Sequence, residues 1–115
     1  LAAMISHAGA RVWIAEEDSG QVAGFITATF SVGLEFGRSA EIEDLYVLPA
    51  WRGRGLARRM MDLAMDRCRD EGVSEVVLYV TPDGQNQGLP EFYRKLGFHQ
   101  VDRMMFQRGL DNRQL

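Results

Sequence analysis

The chain is short of the features that mark several functional classes. Cysteine occurs once, at Cys68, which excludes an internal disulfide. With His7 and His99 distant in sequence, Cys68 belongs to no metal-ligand cluster, and no metal is expected. It reads as a buried residue on a helix face rather than a nucleophile. Net positive charge is also missing: the formal charge is −3, which argues against a broad nucleic-acid-binding face or a polybasic membrane surface. No apolar run approaches the ~20 residues that span a bilayer. No secretory leader is visible, so the cytoplasm is the expected location. Linkers, repeats and low-complexity tracts are absent, and 115 residues leave room for one domain, residues 1–115, with one modest core.

What is present is a succession of short periodic segments. Residues 2–10 are rich in small side chains and read as the tail of a helix ending at Gly9. Residues 11–16 alternate around Val12 and Ile14, Asp18-Ser19-Gly20 makes a turn, and residues 22–30 are β-branched and aromatic; together they predict a hairpin. Residues 31–39 read as a loop, although Val32, Leu34 and Phe36 alternate and could extend the strand. A third strand over residues 40–48 stops at Pro49. Residues 56–71 carry Leu56, Met60, Leu63, Ala64 and Cys68 at helical steps, with Gly72 as the cap. A near-continuous apolar run over 73–81 predicts a central strand. A polar turn (82–87), a second helix (89–96) with Pro90 in its first turn and Gly97 at its end, and a last strand or bent hairpin (98–107) follow. Trp51 reads as turn packing and Trp13 as hairpin core. Met60, Met61, Met65, Met104 and Met105 read as core filler.

The most informative stretch runs from Leu45 to Ala57. An apolar strand reaches Pro49, and a turn rich in arginine and glycine opens into the helix at Leu56. Such a junction leaves backbone N–H groups unpaired at a helix N-terminus, where the dipole favours anions. Gly53 and Gly55 permit close approach or positive φ, and Arg52 and Arg54 add charge. Arg58 and Arg59 stand where the dipole disfavours cations, which a phosphorylated ligand would offset; a solvated face explains them equally well. Positive charge gathered from Arg52 to Arg67 suits one small polyanion better than a duplex. A Walker loop would need Lys and Ser or Thr where Leu56 and Ala57 stand, and a dinucleotide fingerprint would put its third glycine at Arg58.

What fits is Arg/Gln-x-x-Gly-x-Gly/Ala, filled by Arg52, Gly55 and Ala57. It resembles the acyl-CoA pyrophosphate loop of the GNAT superfamily of N-acetyltransferases. A second segment, Phe92-Tyr93-Arg94-Lys95-Leu96-Gly97-Phe98, is similar to that family's F-Y-x-x-x-G-F. Asn86 stands six residues before Phe92, the family's spacing, although Leu89 replaces an alanine and the preceding turn is about two residues longer. The resemblance covers nearly the whole chain. It implies an α/β (mixed α+β) acyl-CoA N-acyltransferase fold with a central mixed sheet in the order β-β-β-α-β-α-β. The family's upstream strand and helices are expected to be missing from a chain that begins at Leu1.

The resemblance further implies acetyl-CoA as cosubstrate. Backbone groups of Leu45, Tyr46 and Val47 would pair with the pantetheine arm, one of them polarising the thioester carbonyl. Residues Arg52, Gly53, Arg54, Gly55, Leu56, Ala57 and Arg58 would surround the pyrophosphate, and Asn86 would contact the arm. Tyr93 is the general-acid candidate; its alternative is a packed aromatic with a satisfied hydroxyl. For the base, Glu41, Glu43 and Asp44 are candidates. Strict alternation puts Glu41 and Glu43 on one face and Asp44 on the other, unless a bulge intervenes. Glu41 lies four residues before Leu45, where protein-acetylating members hold their glutamate. Asp44 lies immediately before it, resembling the Tyr-Asp-Leu segment of aminoglycoside 3-N-acetyltransferases. With Glu35 nearby, these carboxylates suggest an acidic pocket for a cationic amine; the alternative is a set of solvated strand-end charges.

The function expected is direct transfer of an acetyl group, in a ternary complex, to a primary amine of a small cationic molecule. A protein or peptide amine, or a catalytically silent CoA-binding domain, is the alternative. Neither nucleic acid nor a membrane is an expected partner; a homodimer is left open.

Overall fold

The computed structural model describes residues 3–7, 9–34 and 37–110, the first of these segments by its backbone. The elements are β1 (Ala3–His7), β2 (Ala10–Glu16), β3 (Val22–Gly33), β4 (Gly37–Val47), a 3-10 turn (Pro49–Trp51), α1 (Leu56–Asp70), β5 (Glu75–Leu78), α2 (Pro82–Asn86) and α3 (Leu89–Lys95). They form two compact units, the first ending at Thr81 and the second beginning at Pro82.

In the first unit the five strands lie side by side in chain order. The first four are antiparallel and β5 runs parallel to β4, so the sheet is mixed, as the family resemblance implies. The β2–β3 hairpin turns at Gly20, whose φ of 89° is glycine's region, with the Glu17 amide donating to the Gln21 carbonyl at 2.8 Å. Helix α1 packs on β2, β3 and β4. Its Leu56, Met60, Met61, Ala64 and Cys68 are buried, as are Trp13, Ala15, Ile26, Ala28, Ala40 and Ile42 of the strands. Each large apolar side chain buried this way contributes about 1.5–3 kcal/mol. At the C-terminal end of α1, Glu71 Oε1 accepts from Arg11 at 2.6 Å and Arg38 at 3.3 Å. Both guanidiniums also lie over the Phe30 ring, at 5.1 and 5.2 Å, which ties the end of α1 to β2 and β4.

Several expectations are corrected. Residues 3–7 are a strand, not the tail of a helix: Ala3 pairs with Ile14 and His7 with Ala10, and this long-range pairing overrides the helical leaning of small residues. The loop expected over 31–39 shrinks, because β3 continues to Gly33 and β4 starts at Gly37. On β2, Trp13 and Ala15 face α1, while Val12 and Ile14 are only half-buried. The apolar run over 73–81 yields just four strand residues, at the edge of the described sheet rather than its centre.

In the second unit, residues 82–86 are helical rather than a polar turn, with Pro82 leading and the Gln87 amide bonding back to Asp83. Helix α3 ends as expected: Gly97 takes φ 96°, and the Phe98 amide donates to the Tyr93 carbonyl at 3.1 Å. Residues 98–110 form neither helix nor strand, so the final strand expected over 98–107 is not there. Met104 and Met105, 84% and 67% exposed, are not core filler.

Gly24 is closely approached by β4 and α1. A Cβ there would stand 2.6 Å from the Tyr46 carbonyl oxygen and 3.0 Å from Met60 Cε. Gly24→Ala should therefore cost about 1–3 kcal/mol of stability by urea denaturation, because β3 or β4 must shift. An unchanged midpoint would contradict this close approach.

Candidate active site

The site begins with an irregularity in β4. In the β3–β4 register Thr29 faces Glu41, Ala28 faces Ile42, and Thr27 faces Asp44; Glu43 is skipped. That is a β-bulge, and it reverses the parity of the strand. Before it, Ala40 and Ile42 point to the α1 face; after it, Leu45 and Val47 do, opposite Ile26 and Gly24. Consequently Glu41 and Asp44, three residues apart, share the other face, one rung or ~7 Å apart along the strand. Strict alternation placed Asp44 opposite Glu41, and the bulge corrects that expectation. Glu43 is the exposed extra residue. The shared face carries a ladder of cross-strand pairs. Thr27 Oγ1 donates to Asp44 Oδ2 at 2.8 Å, the Ser31 and Ser39 hydroxyls are 2.9 Å apart, and the Phe25 and Tyr46 rings are 5.8 Å apart. Glu35 lies outside the described residues.

Beyond the bulge β4 loses its other neighbour. The β4–β5 register ends at Ile42 and Leu78, so, among the described residues, 44–47 pair with β3 alone. The Leu48 amide donates to the Ala23 carbonyl at 2.8 Å. By the alternation of antiparallel bonding, Tyr46 then directs its backbone groups to β3, while Leu45 and Val47 direct theirs away from it. The edge those two residues present is open to an extended ligand. Arg52 reaches back to it: its Nε donates to the Val47 carbonyl at 2.9 Å, and its guanidinium lies 5.5 Å from the Tyr46 ring centroid.

The turn that follows has features that suit an anion. Pro49 starts the 3-10 turn, Arg54 stacks on Trp51 at 4.9 Å, and Gly53 and Gly55 both adopt φ 78°. Gly55 is the N-cap of α1 and offers no side-chain cap; the Arg59 amide donates to the Gly55 carbonyl at 3.1 Å. The amides of Leu56, Ala57 and Arg58 therefore precede the helical ladder. No acidic side chain stands in that turn, and Arg58 pairs only loosely with Asp62 at 4.0 Å. Open space surrounds the position of a Cβ on Gly53 or Gly55. A pyrophosphate group fits this cradle, and a pantetheine-like arm fits the Leu45–Val47 edge.

Cys68 is buried against the sheet, and burial, with Glu71 nearby, raises its thiol pKa against a smaller opposing effect of Arg38. It stays a packed thiol, as its helical position predicts. In the second unit Asn86 closes α2 and is exposed. Tyr93 is half-buried between Phe92 and Phe98, with edge-to-face ring distances of 5.2 and 5.9 Å. Burial raises its phenol above the ordinary 10.0. Among the described residues no group of three His, Cys, Asp or Glu side chains could hold a metal ion, and no helix is long and apolar enough to cross a membrane.

Residues 2–98 match the model of the acetyltransferase (GNAT) family. Streptothricin acetyltransferase of Streptomyces lavendulae is 33% identical over 91 residues, covering 79% of this chain and 46% of that protein. Mycothiol acetyltransferase of Thermobifida fusca is 33% identical over 87 residues, covering 72% of this chain and 26% of that protein. The chain thus spans less than half the length of either. In fold it is similar to glucosamine-6-phosphate N-acetyltransferase from Arabidopsis thaliana, with a TM-score of 0.73 at 23% identity over 90% of this chain and 68% of that one.

Titration calorimetry with CoA tests the cradle. In a folded Gly55→Asp variant the affinity should fall by more than about 100-fold, since a carboxylate would face the phosphates at a backbone position that favours glycine. Arg52→Ala should weaken binding less, because the guanidinium is already engaged by Val47. Unchanged CoA affinity in folded Gly55→Asp would overturn the loop assignment.

Proposed function

Because the chain belongs to the GNAT acetyltransferase family, we propose that it transfers an acetyl group from acetyl-CoA directly to the primary amine of a small cationic molecule. The observation that carries this reading is the succession along the chain of the outward edge at Leu45 and Val47 and the Gly53–Gly55 turn. When bound, acetyl-CoA supplies the acetyl group on a thioester whose carbonyl is open to attack. The amides of Leu56, Ala57 and Arg58 hold the pyrophosphate, with Arg52 and Arg54 adding charge. Leu45 and Val47 align the arm as an added strand, and one of their N–H groups donates to the acetyl carbonyl. A preorganised donor of that kind is worth about 3–4 kcal/mol in the transition state.

Asp44 and Glu41, together on the open face, attract an ammonium ion and take up the proton it must lose before attacking. Tyr93 donates its phenolic proton to the leaving sulfur as the C–S bond breaks, while the nitrogen gives up its second proton to solvent, which returns one to the phenolate. The pKa raised by burial suits that role, because the phenol stays protonated at every pH below its ordinary 10.0. Linkage gives the same sign for stability: the contribution of Tyr93 is intact below 10.0 and declines as pH rises above it. Direct transfer is supported by Cys68, the single cysteine, being buried as a thiol on the sheet side of α1. Relatives named for streptothricin, mycothiol and glucosamine 6-phosphate favour a small-molecule acceptor without selecting one.

Release of CoA thiol in the presence of a panel of primary amines tests the reading. Amine-dependent release is expected; tight CoA binding without release from any amine would point to a silent binding domain. Tyr93→Phe should lower kcat by roughly one to four orders of magnitude while leaving CoA affinity nearly intact. Undiminished turnover would reduce Tyr93 to a packing residue. For the carboxylates, loss of a binding group should mainly raise KM for cationic amines, whereas loss of a proton acceptor should lower kcat. Full activity in Asp44→Asn, Glu41→Gln and the double variant would remove both from the mechanism.

A further inference from the structure

We propose that Thr27 is a positioning residue for Asp44, fixing which carboxylate oxygen meets the acceptor amine. The inference rests on the reading of Asp44 given above. The bulge at Glu43 brings Asp44 into register with Thr27, and the hydroxyl of Thr27 donates to Asp44 Oδ2 at 2.8 Å. Threonine suits this task because its β-branched side chain is stiff about χ1, so the donor is a nearly fixed point on the sheet. A strand-end aspartate without such an anchor would turn among several rotamers, and ordering it would be charged against each turnover. With Oδ2 held by β3, Oδ1 is left to accept from an incoming ammonium. The anchor belongs to β3, whose neighbouring Ile26 and Ala28 are buried beneath α1, so it is set by the core rather than by a loop. Glu41, on the same face, attracts the same cation without competing for the Thr27 donor.

A control lies on the same ladder. Ser31 and Ser39 form a similar side-chain pair at 2.9 Å, two rungs away from Asp44, with no proposed role in the reaction. If cross-strand hydroxyl bonds served only the sheet, breaking either pair would have the same small consequence. A positioning role separates them.

The test uses the full chain with acetyl-CoA and the fastest acceptor among spermidine, kanamycin and glucosamine 6-phosphate. Thr27→Val keeps the shape and strand propensity and removes the donor. Its kcat/KM should fall by about 3- to 30-fold, chiefly in kcat, with KM for acetyl-CoA unchanged. Thr27→Ser should restore activity to within about twofold, since it returns the hydroxyl. Ser31→Ala should leave the kinetics unchanged. In an Asp44→Asn background, Thr27→Val should add no further loss, because the two residues act as one unit. If Asp44→Asn is impaired while Thr27→Val is not, or if Thr27→Val lowers activity equally in both backgrounds, the positioning role is wrong and the reading of Asp44 stands. If Asp44→Asn keeps full activity, or no acceptor on the panel is acetylated, that reading falls and the positioning role with it.

Discussion

The extra residue in β4 is the constraint on which the rest of the site depends. Ala40 and Ile42 are even-numbered core positions, whereas the apolar positions further on are Leu45 and Val47. A regular strand could not bury both sets. Without a bulge, Asp44 and Tyr46 would turn toward α1 and Leu45 and Val47 away from it. Burying an unpaired carboxylate costs several kcal/mol, far more than the ladder bond lost at a bulge. The hydrophobic pattern therefore selects the bulge, and the functional geometry follows from it. Two carboxylates come to share a face, Asp44 meets Thr27, and β4 continues past the end of β5 with one edge open.

The turn after β4 follows the same economy. Pro49 ends the strand, and glycines in the left-handed region let the chain enter α1 with its first amides still unbonded. A side-chain cap would have satisfied one of those donors at once. Its absence, with arginines rather than acids in the first turn, leaves an electrostatic deficit that an anion can fill. The F-Y-x-x-x-G-F segment has an equally local cause. Gly97 closes α3, the Phe98 amide bonds back to the Tyr93 carbonyl, and the Phe98 ring comes against the Tyr93 ring. The turn at the glycine thereby brings an aromatic ring against the phenol, whose pKa burial raises.

Much of this was legible in the sequence, for reasons particular to each segment. Helix α1 was readable because Leu56, Met60, Ala64 and Cys68 recur at helical steps, and the β2–β3 hairpin because Asp18-Ser19-Gly20 divides two β-rich runs. The bulge was also signalled, by the switch from even to odd apolar positions after Ile42, a pattern that alternation within the acidic triplet alone does not expose. Strand β1 was hidden because its pairing with β2, not its own composition, makes it extended. Residues 98–107 misled in the opposite sense: they read as a strand or bent hairpin, yet Val101, Met104 and Phe106 are exposed. The role proposed for Tyr93 and the contact expected of Asn86 rest on motif resemblance, since nothing in their spacing alone assigns a chemistry.

The central claim is that the bulge turns the end of β4 into an edge for the cofactor arm. Residue-resolved amide hydrogen exchange at Leu45, Tyr46, Val47 and Leu48, with and without acetyl-CoA, tests it most directly. Without ligand, Tyr46 and Leu48 should exchange slowly through their bonds to β3, and Leu45 and Val47 quickly; saturating acetyl-CoA should slow the latter pair by at least about tenfold. Equal protection of all four amides in the free protein, or fast exchange at Leu45 and Val47 that saturating acetyl-CoA leaves unchanged, would contradict it.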